Sequence, residues 1–192
     1  MFPFWLKIAY TLFVGLLVKV YWVKYGPANF LWFSDVALLL TVPALWFENS
    51  LLASMMAVAV MLPEIAWNVD YFGRLISGKS LFGLSRYMFD TTIPLPVRAL
   101  SLFHVFLPPL LLLMVYRLGY DERALPAQTV LAWIILPLSY LLAPPSENVN
   151  WVRGPRGNLQ TSMSGPLYLG LTMIGFPLLV YLPTHFMLNR LR

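Results

Sequence analysis

The chain has 192 residues, of which 59% are hydrophobic and 11% charged, and its mean hydropathy is +0.72. This composition excludes an ordinary soluble domain. The net charge of +5 is typical of the basic flanks of membrane spans, because no basic run indicates a nucleic-acid surface. The lack of cysteine and the presence of only two histidines exclude disulfides, thiolate metal sites and a histidine-rich metal site. We therefore expect no metal, cofactor or nucleic acid, and membrane lipids as partners, with protein partners left open.

Six apolar segments predict an all-α, polytopic bundle of about six transmembrane helices that forms a single domain over residues 1–192. A helix needs about 20 apolar residues to cross a hydrocarbon core of about 30 Å. In chain order the predicted spans are 3–22, 28–46, 50–66, 94–117, 126–143 and 164–186. The first segment, MFPFWLKIAYTLFVGLLVKVYWV, is too long and too aromatic for a cleaved signal peptide, so we expect it to be a retained span.

Proline occurs in five of the predicted spans, inside the helix or in its last turns. These residues are Pro43, Pro63, Pro108, Pro109, Pro137, Pro177 and Pro183. Each proline removes a helical hydrogen bond and tends to kink the helix, and kinks can shape a cavity or a gate. The alternative is that membrane helices simply tolerate proline better than soluble helices do.

Six spans place both termini on one side of the membrane. The loops of the other side carry about eight basic residues, against about five on the side of the termini. The positive-inside rule therefore places the richer side in the cytoplasm, whereas an even number of spans more often accompanies cytoplasmic termini, so the orientation stays open. Within the long connection 67–93, the mixed apolar and basic segment 74–90 predicts an interfacial helix.

Two costly polar side chains fall in the same half of the predicted membrane. Asp35 lies about seven residues into the second span, and His104 lies about ten residues into the fourth span from the same side. A carboxylate near the middle of a span costs about 2.5–3.5 kcal/mol, so it normally finds a partner. We expect His104, Arg98 or Arg74 to be that partner, in a polar pocket between spans two, three and four. The alternative is a structural ion pair of Asp35 with Arg98.

Other polar residues on this side are predicted to bind the substrate. They are Glu64, Asn68, Arg98, Ser101, Asn148, Asn150, Trp151 and Arg153. Ser101 and His104 are three residues apart and share a helix face. The loop SENVNWVRGPRGN, residues 146–158, is predicted to cap the pocket. Such a loop can bind an anionic head group, or it can be a turn rich in glycine and proline.

The whole chain resembles a family of short bacterial multi-pass proteins known mainly as hypothetical or membrane-associated proteins. The stretches that carry this resemblance are YGPANFLWFSDVALLLT, LPEIAWNVDYF, SLFHVFLPPLLLLMVYRLGYD and ENVNWVRGP. The resemblance implies a bacterial inner-membrane location but no activity.

FLWFSD in the second span and HVFLPP in the fourth are also similar to the androgen-induced and androgen-dependent TFPI-regulating membrane hydrolases. Those hydrolases cleave fatty-acid esters of hydroxy fatty acids with a threonine nucleophile and a histidine. The resemblance aligns His104 with the histidine, but Trp32 stands at the threonine position. Ser34 lies two residues further on, roughly 200° around the helix.

Three functions follow as hypotheses. The first is a membrane hydrolase of lipid or acyl esters, with His104 as general base, Asp35 orienting it, and Ser34 or a water as nucleophile. The second is a carrier or channel for a small polar solute or ion, with Asp35 and His104 as a protonatable pair. The third is a non-catalytic membrane subunit whose polar groups serve assembly.

Overall fold

A computed structural model of the protein describes residues 1–155 and 158–190. Arg156 and Arg192, two of the basic residues counted in the topology argument, lie outside the described residues, as does part of the predicted cap. Every regular element in the described part of the chain is helical, which confirms the all-α class.

Eight α-helices and three short 3-10 helices are the helical elements that the structure describes in full within residues 1–155 and 158–190. The α-helices are α1 (Phe4–Tyr25), α2 (Phe33–Trp46), α3 (Ser50–Ser77), α4 (Leu95–Leu100), α5 (Phe103–Leu118), α6 (Ala124–Leu142), α7 (Gly165–Phe176) and α8 (Leu182–Asn189). The 3-10 helices are Pro27–Leu31, Arg86–Phe89 and Val149–Trp151. A π-helical turn at Pro177–Tyr181 joins α7 to α8.

Five helical segments are long and apolar enough to cross a membrane. They are Phe4–Tyr25, Ser50–Ser77, Leu95–Leu118, Ala124–Leu142 and Gly165–Asn189. The sixth predicted span is shorter than expected, because its first residues form a 3-10 turn and only the 14 residues of α2 are α-helical. At 1.5 Å per residue α2 is about 21 Å long, less than the hydrocarbon thickness.

The predicted end of the third span was wrong. It was expected at residue 66, but α3 continues through Pro63 to Ser77 and ends at Gly78, whose φ of 72° suits glycine. Neighbouring helices allow a membrane helix to continue past a proline. Glu64 therefore lies in the middle of α3 and not near its end.

The interfacial helix predicted for 74–90 was also wrong. Apart from the end of α3, this segment contains only the four-residue turn Arg86–Phe89. The side-chain carboxylate of Asp70 accepts hydrogen bonds from the Ser80 hydroxyl and from backbone N–H groups, which folds residues 80–85 into a compact loop. We call it the 80–85 loop. Local side-chain bonds of this kind compete with helix formation.

The long helix α3 lies at the centre of the bundle. It contacts α2, α5, α6 and α8, and it is the most buried of the candidate spans. Ala53, Ala57 and Ala59 on α3 are fully buried, and small side chains let neighbouring helices approach closely. Because α3 is central, we expect it to form part of the wall of a pocket inside the bundle.

Candidate functional site

A cavity of about 1110 Å³ opens at the loop-rich end of the bundle. Its wall combines the end of α1, the start of α2, the middle of α3, the start of α5, the 80–85 loop and the α7–π segment. Asp35, Glu64 and His104 all line this one cavity. The walls are otherwise mainly apolar and aromatic, a combination typical of small-molecule sites.

The carboxylate of Glu64 and the imidazole of His104 are hydrogen-bonded to each other in the cavity wall. The Nδ1 atom of His104 lies 2.7 Å from Oε2 and 2.9 Å from Oε1 of Glu64. Glu64 is 2% exposed, so water hardly competes for this contact. Since a carboxylate accepts hydrogen bonds, Nδ1 carries the proton in the neutral ring and Nε2 holds the lone pair. In the described part of the chain Nε2 has no hydrogen-bond partner, and His104 is one of the residues that line the cavity.

The imidazole ring of His104 is held in place by two aromatic rings and by its backbone. It stacks on Trp67 with ring centroids 4.6 Å apart and on Phe103 at 4.1 Å. The Asn68 amide donates to the carbonyl oxygens of His104, at 2.7 Å, and of Glu64, at 2.8 Å, and so ties α5 to α3. Packing and hydrogen bonds together fix the ring orientation, as a preorganised site requires.

The predicted contact between Asp35 and His104 is not formed, because Glu64 occupies Nδ1. Asp35 is 4% exposed, and its carboxylate makes no hydrogen bond or ion pair with any residue in 1–155 or 158–190, its Oδ1 being buried without a partner. The break before Phe33 places Asp35 in the first turn of α2 and not deep in a span. The helix dipole stabilises a carboxylate at the N-terminus by about 0.3–1 kcal/mol. Burying a carboxylate in a membrane costs roughly 2.5–3.5 kcal/mol, so the dipole alone does not compensate for the burial of Asp35.

The two arginines predicted as partners of Asp35 are engaged elsewhere. Arg98 donates through Nη1 to the carbonyl oxygen of Met88 at 2.8 Å. Arg74 lies over the ring of Phe89, 4.3 Å from its centroid. The structural ion pair of Asp35 with Arg98 is therefore absent from the described residues.

Two serines of the cavity wall stand in different environments. Ser34 is half-buried and lines the cavity. Ser101 lies 2.6 Å from the hydroxyl of Tyr21, at the break between α4 and α5. Ser101 thus joins α1 to the start of α5, whereas the Ser34 hydroxyl makes no hydrogen bond to residues 1–155 or 158–190.

Asn150 and Trp151 of the 146–158 loop line the cavity. Asn150 accepts from the backbone N–H of Phe33 at 3.0 Å and donates to the carbonyl oxygen of Leu31 at 2.7 Å. It therefore satisfies the backbone groups freed by the break before α2. Trp151 has φ of 57°, a genuine outlier for a bulky residue, and such strain persists only where the surroundings impose it.

The other two loop residues predicted to bind substrate face away from the cavity. Asn148 donates to the carbonyl oxygen of Gly154 and accepts from the backbone N–H of Arg153. Arg153 donates to the carbonyl oxygen of Tyr140 and lies over its ring. Both side chains hold the loop together, and neither lines the cavity.

Asp70 is a residue whose importance the sequence analysis missed. Its carboxylate is fully buried and accepts from the hydroxyls of Ser80 and Ser85 and from four backbone N–H groups, those of residues 81, 82, 83 and 85. Residues 80–84 line the cavity, so Asp70 fixes one of its walls. The glycines and serines in GKSLFGLS, residues 78–85, were the sequence signal for such a folded loop.

No match to this chain was found among protein-family models, curated proteins or solved structures. The two resemblances therefore stay predictions. Within residues 1–155 and 158–190, no three histidine or acidic side chains converge as a metal site would need.

Proposed function

We propose that the protein is a membrane-embedded hydrolase of lipid or acyl esters, with His104 as general base and Glu64 as the residue that positions it. The observation that carries this proposal is the Glu64 carboxylate on Nδ1 of His104, a residue that lines the cavity and whose Nε2 has no hydrogen-bond partner in the described part of the chain. A base that is itself oriented by a third group is the arrangement that nucleophilic catalysis requires. Glu64 takes the orienting role that the sequence analysis gave to Asp35.

The proposed reaction needs only His104, Ser34 and water. Nε2 of His104 accepts the proton of the nucleophile, either the Ser34 hydroxyl or a water, as its oxygen attacks the ester carbonyl carbon. The bond between that carbon and the leaving oxygen then breaks, and His104 returns the proton to the leaving alkoxide. If Ser34 attacks, a second round with water releases the acid from the serine.

The location of the cavity supports a lipid-like substrate. Apolar side chains cover the outside of the candidate spans, so the protein is suited to a bilayer and its cavity to molecules dissolved there. A volume of about 1110 Å³ exceeds what a small metabolite fills. We place the protein in the cell membrane as a multi-pass protein of the bacterial inner membrane.

The test is hydrolysis by the purified protein in detergent micelles, measured with chromogenic esters of increasing acyl length. We expect His104→Gln and Glu64→Gln to lower kcat by roughly 10²- to 10⁴-fold, because each removes part of the proton-transfer unit. The chain offers matched controls, His185→Gln and Glu48→Gln, which change the same residue types outside the cavity and should keep wild-type rates. Equal losses in the controls, or no hydrolysis by the wild type, would contradict the proposal.

A proton-coupled carrier is the second candidate, because the Asp35 carboxylate makes no ion pair in the described residues. Asp35 and His104 line the same cavity, and acidic residues and histidines inside a membrane protein often form proton relays. Solute uptake into sealed vesicles that depends on a proton gradient, without hydrolysis in micelles, would favour this function. Hydrolysis without any gradient would exclude a purely transporting role.

A further inference from the structure

Asp35 presents an unsatisfied carboxylate to the cavity. Its side chain is 96% buried, since 4% is exposed, and it lines the cavity without a hydrogen bond or ion pair to residues 1–155 or 158–190. Buried charges in proteins are paired or hydrogen-bonded, because an isolated one is strongly destabilising. A group supplied from the cavity is the partner that this carboxylate lacks.

The charges around Asp35 make that missing partner a cation. Burial in the cavity wall, and after it the negative charge of Glu64, which is already committed to His104, both disfavour a charge on Asp35 unless a cation pairs with it. Arg98 donates through Nη1 to a carbonyl oxygen while its Nε is buried without a partner in the described residues, and Arg74 lies over an aromatic ring, so neither arginine pairs with Asp35. Arg86, the arginine of the wall, is exposed on the side of the 80–85 loop. Two carboxylates and one histidine therefore face a ligand whose charge would be positive.

Aromatic rings surround the same space. Those of the wall are Tyr21, Tyr25, Trp32, Phe33, Trp67, Phe82, Tyr87, Phe103, Trp151 and Phe176. Tyrosine and tryptophan faces attract organic ammonium groups, and apolar ring surface binds hydrocarbon. An aromatic wall with one unpaired carboxylate suits an amphiphile that has a protonated amine at one end.

We infer that the cavity binds an ammonium amphiphile whose N–H donates to the Asp35 carboxylate while its hydrocarbon part lies against the aromatic wall. This inference rests on the proposed function, because it names the substrates of the proposed hydrolase as acyl esters of amino alcohols. Asp35 sets the position of the amine, and His104 acts on the ester carbonyl a few bonds away. Asp35 is thus a binding residue, and it does not take part in proton transfer.

Binding is tested without hydrolysis. Wild-type protein in nanodiscs of zwitterionic phospholipid is titrated at pH 7 with dodecyldimethylamine, which is protonated, and with 1-dodecanol, its neutral counterpart. Tryptophan emission reports binding, because three of the tryptophans line the cavity. We expect dodecyldimethylamine to bind roughly 10- to 100-fold more tightly to the wild type than to Asp35→Asn, as for loss of a charge-assisted hydrogen bond.

Asp90→Asn is the matched control, because Asp90 is exposed outside the cavity and the substitution changes the net charge equally. Its affinity for dodecyldimethylamine should equal that of the wild type. Asp35→Asn removes the insertion cost of a charge and should stay folded. If Asp35→Asn does not fold, the comparison of the two probes on the wild type still tests the inference. Equal affinity of the wild type for both probes, or equal effects of the two variants, would overturn the inference.

Hydrolysis separates the two proposals. The dodecanoate ester of 2-(dimethylamino)ethanol is compared with 3-methylbutyl dodecanoate, which has carbon in place of nitrogen. A preference of tenfold or more in kcat/KM for the amine ester, lost in Asp35→Asn, supports both proposals. Equal rates on the two esters refute the inference and leave the hydrolase standing. Binding that depends on Asp35 with no hydrolysis of either ester supports the inference and refutes the hydrolase.

Discussion

Replacing Asp70 by asparagine should release the 80–85 loop without unfolding the bundle. The carboxylate accepts four hydrogen bonds through Oδ1 and two through Oδ2, the latter from the backbone N–H and hydroxyl of Ser85. An asparagine keeps one oxygen, so its least costly orientation leaves the oxygen at the Oδ1 position and an amide facing Ser85. The Ser85 hydroxyl can turn to accept, but its backbone N–H loses its acceptor.

The expected cost follows from these contacts. One buried N–H without an acceptor costs about 1–3 kcal/mol, and the remaining bonds weaken because the acceptor has lost its charge, for a total of roughly 2–4 kcal/mol. This cost falls on the docked loop, which opens locally. Amides 81–85 should then exchange with deuterium at least about 30-fold faster, since each 1.4 kcal/mol is a factor of ten.

Hydrogen exchange followed by mass spectrometry measures this change directly. Asp90→Asn is the control, because in the described residues the Asp90 side chain accepts hydrogen bonds from Thr92 and from none of residues 81–85, so amides 81–85 should be unchanged. Faster exchange confined to the loop would support the role of Asp70. Unchanged exchange in Asp70→Asn, or an equal increase in the control, would refute the reasoning.

Three further predictions concern the bundle and its orientation. Asn150→Ala should lower the free energy of unfolding by about 1–3 kcal/mol, measured by thermal denaturation in detergent, because it strands backbone groups at the start of α2. Single cysteines at Ser77 and Asp121 should react with an impermeant thiol reagent from opposite sides of the membrane, because Ser77 ends α3 and Asp121 is hydrogen-bonded to Ser54 near its start. Labelling of both from one side would refute the topology. A hydrogen bond from Lys7 and one from a backbone N–H lower the pKa of Glu48. Its contribution to stability is therefore present above about pH 4.5, the ordinary pKa, and is lost as the pH falls through the lowered pKa of the folded state. The stability of Glu48→Gln should therefore fall less than that of the wild type over this acidic range.

The sequence was sufficient to predict the class of fold. Hydropathy identified the five long spans and the α2 segment, because the lipid environment demands long apolar helices whatever the packing. Helix ends were predicted less well. The break before α2 depends on hydrogen bonds from Asn150, which lies 117 residues away from Phe33 in sequence, and local patterns carry no sign of such a contact.

The site could be predicted in part. Glu64 and His104 were both selected as unusual polar groups, and the cavity does touch Asp35 and His104. Their pairing was missed because the third span was expected to end at residue 66, which placed Glu64 in its last turn. Once α3 continues to Ser77, Glu64 and Asn68 lie one turn apart on the face toward His104. A single error in a helix boundary therefore changed the assigned partner.

A double-mutant cycle on ester hydrolysis tests the central claim, that Glu64 and His104 act as one unit. The kcat of Glu64→Gln, His104→Gln and the double variant would be compared with that of the wild type on one chromogenic ester. The account predicts that the double variant is no slower than His104→Gln alone, because Glu64 acts only through the histidine. Losses that multiply in the double variant would show that the two residues act independently, and would contradict the account.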